Sequence, residues 1–403
     1  MYEDLFRKAL NIEDPWVLES VDFDPDAKRI DLYLDFAPGT KFDCPVCNKP
    51  GCSAYDTQEK EWRHLDFFQH KAFLHCRVPR VSCDECGIHQ IKIPWARDSS
   101  GFTLLMDALI MSMAQSMQMS EIADMIGEHD TRVWRVVKYY VEDARSREDF
   151  SDVYIIGIDE TSSAKGHKYV TLVVDFATSK VIYVCRGKDA LTVSTFKEDY
   201  QVHRGSPDKI ASVCCDMSPA FIGGIETEFP NASITFDKFH IMKIVNEGID
   251  MVRREEQAIN KVLNKTRYIW LKNPDNLTKE QNKTLGTLKD MNLKTIRAYN
   301  LKLSLQMFWV IQERNIAEQY LKKWYFWATH SRLKPMIKAA KTIKYHWDGV
   351  MNYFDSKITN GILEGTNSVV QLLKRSARGY RNIPNFITMI YLRLGHLKFQ
   401  LPT

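Results

Sequence analysis

The chain has 403 residues, 44% hydrophobic and 26% charged, which is the composition of two or three ordinary globular domains and not of a disordered or fibrous chain. No apolar run approaches the length of a membrane span, and the start Met1-Tyr-Glu-Asp-Leu-Phe-Arg7 lacks the apolar centre of a signal peptide, so a cytoplasmic protein is expected. The formal charge of +4 hides a division: residues 251–403 carry 27 Lys and Arg against 10 Asp and Glu, whereas residues 1–250 carry 28 against 41. Such lopsidedness predicts a polyanion-binding C-terminal part, with a merely solvated basic surface as the alternative.

In chain order, the first expected elements are strands near 16–23 and 29–36. Six of the nine cysteines then fall between Cys44 and Cys86, and Cys44-Pro-Val-Cys47 and Cys83-Asp-Glu-Cys86 form two C-x-x-C pairs. Two such pairs make a tetrahedral thiolate site, and an odd cysteine total in a reducing compartment favours structural zinc on Cys44, Cys47, Cys83 and Cys86 over disulfides. Leu74, Cys76 and Val78 alternate with His75 and Arg77, predicting a strand that returns the chain to the second pair, as in a zinc ribbon. Cys52, His64, His75 and Cys76 compete as ligands, but each reads as structural; Cys76 falls on the apolar side of its strand.

An all-helical stretch follows. Phe102, Leu105, Leu109 and Met113 recur at helical spacing; residues 119–130 read as a short helix and turn with Ser120 as cap and Gly127 in the turn; Thr131 caps a longer helix through Tyr140. This is the cadence of a helix-turn-helix, with Arg132, Arg135 and Lys138 on the second helix for groove or phosphate contacts. A plain three-helix packing unit is the competing reading.

Two apolar runs then stop at carboxylates. Asp159 closes Val153-Tyr-Ile-Ile-Gly-Ile158 and Asp216 closes Ile210-Ala-Ser-Val-Cys-Cys215. Buried strands that end on an acid deliver it to the rim of a sheet, where it can ligate a metal without full burial. Between them the pattern reads strand, strand (169–176), strand (180–186), helix (192–200), strand, and a fifth strand at 233–236 runs into Asp237-Lys-Phe-His240. This mixed order with a helical crossover matches the ribonuclease H-like fold. His240, after a strand-end Asp, suits proton exchange near a phosphate, or a satisfied structural role.

Residues 251–346 read as a helical, basic and aromatic insertion. Trp270, Trp309, Trp324 and Trp327 are expected mostly in its core, base stacking being the alternative. Residues 277–284 read as a loop and cap before another helix. Glu364 opens a helix on which Asn360, Asn367, Gln371, Lys374, Arg375 and Arg378 share its side, while Ile362, Val369, Val370 and Leu373 form the opposite, apolar side. Gly379 ends that helix and a last one spans 386–399. Three acids, Asp159, Asp216 and Glu364, suit one or two Mg²⁺ ions; Asp355 competes for the third place and Asp237 for a fourth.

Taken together, Gly157-Ile-Asp-Glu160, Cys215-Asp-Met-Ser218, Asp237-Lys-Phe-His240 and Leu363-Glu-Gly-Thr-Asn367, running on into Lys374-Arg-Ser-Ala-Arg-Gly-Tyr-Arg-Asn382, resemble the DDE transposases of bacterial insertion sequences, of the ISL-three type, over nearly the whole chain. Ala220-Phe221 supplies the aromatic that this family tends to carry after its second acid. The resemblance implies that Asp159, Asp216 and Glu364 are the catalytic triad, holding Mg (or Mn), with a helical insertion between the second and third acids. It implies DNA cleavage followed by strand transfer without a covalent protein intermediate, on double-stranded DNA comprising the element's terminal inverted repeats and its target. A homodimer or larger assembly, associated with the bacterial nucleoid, would pair two ends.

The expected architecture is multidomain α+β: a zinc-ribbon-like module (1–97), a helix-turn-helix (98–150), a ribonuclease H-like catalytic domain in two parts (151–250 and 347–403) and the helical insertion (251–346). Two other functions fit the same residues. One is a ribonuclease H-like nuclease or resolvase that cuts without joining; the other is a domesticated zinc-dependent DNA-binding regulator with idle acids.

Overall fold

The computed structural model describes residues 2–164, 166, 168–356 and 361–401; Asn360 lies outside the described residues. The chain forms two compact units, Met1–Ala144 with Lys398–Thr403, and Arg145–Leu397.

The first unit opens with α1 (Tyr2–Ala9) and a sheet of β1 (Trp16–Asp24), β2 (Arg29–Phe36), β3 (Lys41–Phe42), β4 (Cys52–Arg63), β5 (Lys71–Cys83) and β6 (Gly87–Gln90). Their order is β1-β2-β5-β4-β3, with β6 also paired to β5. β2 runs parallel to β5, while β4 and β6 are antiparallel to it. Ala72, Leu74, Cys76 and Val78 alternate inward along β5, as period-two patterning demands; the last three meet Trp16, Leu34, Trp62 and Trp95 in one core, and Ala72 packs in a smaller cluster with Ile30 and Leu32. β4 was not expected from the sequence: its middle is polar and only Cys52, Trp62 and Arg63 are buried.

Three helices follow, α2 (Leu104–Ala114), α3 (Met119–Ile126) and α4 (Asp130–Ser146). The inward face of α2 is Met106, Ile110, Met111 and Ala114, and Leu109, expected inside, is exposed. Apolar residues occupy nearly every position of this helix, so spacing alone could not choose the face. Gln118, not Ser120, caps α3 in a reciprocal box with Glu121, and Gly127 ends it in the left-handed conformation at φ 64°. Thr131 lies inside α4, which starts at Asp130 and continues past Tyr140.

The second unit is built on β7 (Ile155–Ala164), β8 (Lys168–Asp175), β9 (Lys180–Arg186), then α5 (Ala190–Val202), β10 (Ser212–Cys215), α6 (Pro219–Glu228) and β11 (Ser233–Phe236). The sheet order is β11-β10-β7-β8-β9; β8 is antiparallel to β7 and β9, and β10 is parallel to both β7 and β11. The remainder is helical: α7 (Lys238–Ile259), α8 (Arg267–Leu271), α9 (Lys279–Leu288), α10 (Lys294–Phe308), α11 (Arg314–Thr329), α12 (Lys334–Tyr345), α13 (Trp347–Met351), α14 (Tyr353–Ser356), α15 (Gly361–Ser376) and α16 (Ile383–Leu394). α16 is shifted from the expected 386–399 because Pro384 occupies its first turn and Gly395 follows its last.

One hydrophobic core joins sheet and helices, running from Ile156, Val213 and Phe236 through Ile241 to Trp270, Leu301 and Trp324. Trp270, Trp309 and Trp324 are buried, as expected of aromatics on amphipathic helices, whereas Trp327 is exposed. Among the described residues no helix is long and apolar enough to cross a membrane.

Candidate active site and zinc site

The four expected zinc ligands converge. The sulfurs of Cys44, Cys47, Cys83 and Cys86 all lie within 4.8 Å of one another, and those of Cys47 and Cys83 are 3.6 Å apart. Thiolates sharing a zinc at about 2.3 Å in tetrahedral geometry sit about 3.8 Å apart, so the set fits that ion. The backbone N–H groups of Glu85 and Cys86 pull the Cys83 thiol down to about 7, whereas hydrogen bonding to Cys47 pushes Cys86 up to about 12. Four crowded thiols cannot all ionise without a cation among them.

The competing ligands Cys52, Cys76, His64 and His75 are engaged elsewhere. Cys52 and Cys76 are buried in the core. His64 shares a hydrogen bond of 2.9 Å with Thr103. His75 stacks on Tyr33 and lies with Asp31 and Glu61 within 4.8 Å, but Arg29 already bonds both carboxylates there.

The acids are placed by strand register. Asp159 is not a strand end, as the sequence suggested; β7 continues through it to Ala164, because β8 pairs along that whole length. What stops is its parallel neighbour: the β10 pairing ends at Cys214↔Gly157. Extending that register, and the Cys215↔Phe236 pairing on the other side of β10, sets Asp159 within β7 level with Asp216 and Asp237, which lie one residue past the ends of its parallel neighbours β10 and β11. Neighbouring strands lie about 4.8 Å apart, so the three carboxylates form a row at the carboxyl edge, where open α/β sheets bind ligands.

The row is electrostatically strained. Burial lifts the Asp159 carboxyl to about 6; the Glu160 N–H and His240 pull it down, and Asp237 and Asp216 push it up. Asp159 accepts hydrogen bonds from Glu160 N (2.8 Å) and Asn367 Nδ2 (2.5 Å), and Asp216 accepts from Ser218 N at 2.9 Å. Asp237 is buried and accepts from Phe239 N (2.6 Å) and from His240 Nδ1 (2.9 Å), the contact that raises the histidine above its ordinary range. Desolvated hard oxygens of like charge are a donor set for a divalent cation such as Mg²⁺.

α15 carries the third expected acid and is held along β7. Leu363 packs where Gly157 has no side chain; a Cβ there would lie 2.8 Å from Leu363 and 2.5 Å from Phe176. One turn on, Asn367 reaches Asp159, Gln371 donates to Thr161 Oγ1 (2.5 Å) and Lys374 to Ser162 O (2.6 Å). The polar side of this helix therefore faces the sheet, and Val369, expected on the apolar side, is exposed. Arg375 and Arg378 are exposed. Glu364 borders a cavity that Asp237 and Lys238 also line. Among the described residues its carboxylate does not join Asp159 and Asp216 in a group as tight as that of the cysteines. Asp355, its competitor, is paired with Arg314.

On α4, Arg135 is exposed and Lys138 half-buried. Arg132 is engaged within its own unit: it pairs with Glu128, donates to Gly101 O at 2.9 Å and lies 4.2 Å over the Phe102 ring. The sequence placed Asn367 on the Glu364 side of its helix and Lys238 within the Asp237–His240 motif, but gave neither a role of its own.

Comparison with known proteins yields three family matches. Residues 156–390 match the ISL3-type DDE model described as "Transposase". Residues 91–141 match the helix-turn-helix domain of transposase family ISL3, and residues 40–86 the zinc-finger of transposase IS204/IS1001/IS1096/IS1165. The chain is similar to the transposase for insertion sequence element IS1557 of Mycobacterium tuberculosis, 26% identical over 428 residues, covering 97% of this chain and 96% of that protein. It is also similar to the transposase for insertion sequence element IS1001 of Bordetella parapertussis, 27% identical over 404 residues, covering 96% and 98% respectively.

Proposed function

The chain belongs to the ISL3 family of DDE transposases, and from that premise we propose that Asp159, Asp216 and Glu364 form the centre at which it cuts element ends and joins them to a target. It is a DNA transposase with a DNA-binding helix-turn-helix. The observation that carries the assignment of the centre is the level row of Asp159, Asp216 and Asp237 at the edge of three parallel strands, with the Glu364 helix bonded to the first of them through Asn367. The antiparallel β7-β8-β9 set flanked by parallel β10 and β11 supports a ribonuclease H-like catalytic domain.

Asp159 and Asp216 would anchor one or two Mg²⁺ or Mn²⁺ ions, with Glu364 completing the set and Asp237 as an auxiliary. When bound, these ions supply activation of the attacking oxygen and neutralise charge on the leaving 3′-oxygen. The residues themselves do the positioning. Asn367 orients one Asp159 oxygen and the Glu160 N–H the other. With Nδ1 committed to Asp237, His240 presents Nε2 for proton exchange. Arg375 and Arg378 would meet backbone phosphates, and Arg135 and Lys138 the terminal repeats.

In this reading the zinc module (1–97) and helix-turn-helix (98–150) recognise ends. The catalytic halves (151–250 and 347–403) cut, and the insertion (251–346) steadies DNA. Two copies or more would hold paired ends at the nucleoid. Replacing Asp159, Asp216 or Glu364 by Ala is expected to abolish metal-dependent cleavage while end binding persists. Gel assays on end-bearing DNA measure both, and normal cutting by Glu364→Ala would move the third ligand to Asp355. Cut ends that never appear in a second DNA would point to a nuclease instead.

A further inference from the structure

The hairpin of β4 and β5 ends in an aromatic tip that the fold does not explain. Phe67 and His70 exchange backbone hydrogen bonds of 2.9 and 3.0 Å, which leaves Phe68 and Gln69 as a two-residue loop. Phe68 sits there at φ 54°, in a place that such loops ordinarily give to Gly, Asn or Asp. Its ring is 85% exposed. A bulky residue in the left-handed region is strained and an exposed ring gains little from burial, so stability does not account for a Phe at this position. Strain of this kind clusters where proteins clamp a ligand.

The tip is braced from behind and anchored to the helix-turn-helix. The Phe67 ring lies 4.7 Å from that of Phe68 and 5.1 Å from that of Phe6 on α1. Lys71, which opens β5, donates to Gly127 O at 2.9 Å, in the turn between α3 and α4. Arg63, which closes β4, pairs with Glu128 in the same turn at 3.7 Å and donates its backbone N–H to Gly101 O at 2.9 Å. Asp66 is itself paired with Arg63, so the loop offers apolar surface rather than charge. From Lys71 back to Phe68 the chain spans at most about 10 Å, and α4 begins at Asp130, just past Gly127. The ring is thus held close to the end of a helix that enters the major groove in this motif.

We propose that this hairpin is a wing of the helix-turn-helix and that Phe68 is an apolar wedge, entering the minor groove beside the major-groove site of α4 and parting one base step so that the element end bends. Phe is among the side chains that proteins insert in this way, and partial unstacking kinks the duplex. Because pyrimidine–purine steps unstack most easily, the wedge also selects sequence at a step that no side chain hydrogen-bonds. The proposal rests on the reading of α4 as the helix that recognises ends. One exposed ring tied to the turn of a DNA-binding motif favours DNA over a second copy of the chain, whose docking would need a face of about 800 Å².

The test uses the full-length, zinc-loaded protein with Ca²⁺ in place of Mg²⁺, so that DNA is bound and not cut. The duplex carries the element's own end, with a donor dye on one terminus and an acceptor on the other. Wild-type protein is expected to raise energy transfer by bending it. Phe68→Gly and Phe68→Asn both suit the turn, so each should keep or raise the melting temperature while abolishing the rise in transfer. Each should also weaken end binding about tenfold, the usual effect of losing one aromatic contact with a base, with a smaller loss on random DNA. Phe68→Leu, still an apolar wedge, should keep most of the bend.

End DNA left straight by wild-type protein, Gly and Asn variants that bend it normally, or a Leu variant that bends it no better than they do would each overturn the proposal. So would Gly and Asn variants that turn a dimer into a monomer in sedimentation while the bend persists, because the tip would then cover a second copy. Should one of the two fail to fold, the other still decides. Arg135→Ala tests the underlying reading on its own: if that variant prefers ends to random DNA as strongly as wild type, α4 is not the reader, whatever the bend reports.

Discussion

A methyl group at position 157 would lie 2.5 Å from the Phe176 ring and 2.8 Å from Leu363, so β7 and α15 can approach only because Gly157 has none. Gly157→Ala is therefore expected to destabilise the protein by about 1–3 kcal/mol, the usual effect of overpacking, and to push the Glu364 helix off the sheet. Cleavage should fall much more than end binding; single-turnover assays beside binding isotherms would show it, and an unchanged cleavage rate would mean that the helix has slack. Asp159 and Asp216 stand out in the sequence because a carboxylate closing an apolar run is chemically conspicuous. Asn367 was legible only as part of a motif, since nothing along one helix reveals which strand its amide will face.

α4 separates two jobs that its sequence presents alike. Arg132 closes onto Glu128, Gly101 and Phe102, while Arg135 stays exposed. Arg132→Ala should cost about 1–3 kcal/mol by stranding a half-buried partner, whereas Arg135→Ala should leave stability intact and reduce discrimination between terminal and random DNA. Denaturant titration and competition binding distinguish them, and equal effects of the two changes would refute the division.

The same unit holds a half-buried and a fully buried group of opposite pH sense. Burial lowers His64 to about 4 from its ordinary 6.5 and lifts Asp107 to about 6 from 3.8. As pH rises from 5 to 6, the histidine makes the fold more stable, because its unfolded form binds the extra proton. Over the same interval the aspartate makes it less stable, because its folded form does. Asp107→Asn should thus leave stability climbing with pH, and His64→Gln should leave it falling. Each slope is bounded by about 1.4 kcal/mol per pH unit, and urea titrations of zinc-loaded protein at several pH values read both. β4 escaped the sequence because its middle is uniformly polar, and β7 was cut short because Asp159 resembles a stop when its pairing partner on β8 is unknown.

Across the whole molecule, the zinc reading makes a localised claim. About one zinc per chain is expected, and stripping it with a chelator should unfold the β1–β6 sheet first, leaving the core around Ile156, Val213 and Trp324 to melt separately. Elemental analysis with two-step thermal melts tests this; a single transition untouched by chelation would reject it. The two C-x-x-C pairs exposed the zinc-ribbon module in advance. The sharing of one core by residues 251–346 and the sheet was not legible, because which buried faces meet is a property of tertiary packing.

Asn367 touches Asp159 across 208 positions of sequence. During synthesis the end-recognising segments leave the ribosome first, and domains tend to fold as they emerge. If the proposed triad is the cleavage centre, that centre must wait for a helix near the end of the chain. A nascent or prematurely terminated product would thus be able to occupy DNA and unable to break it, so every incomplete copy becomes a competitor of the complete ones. On that assignment, cutting would be withheld until translation is nearly finished, by the order in which the acids are encoded.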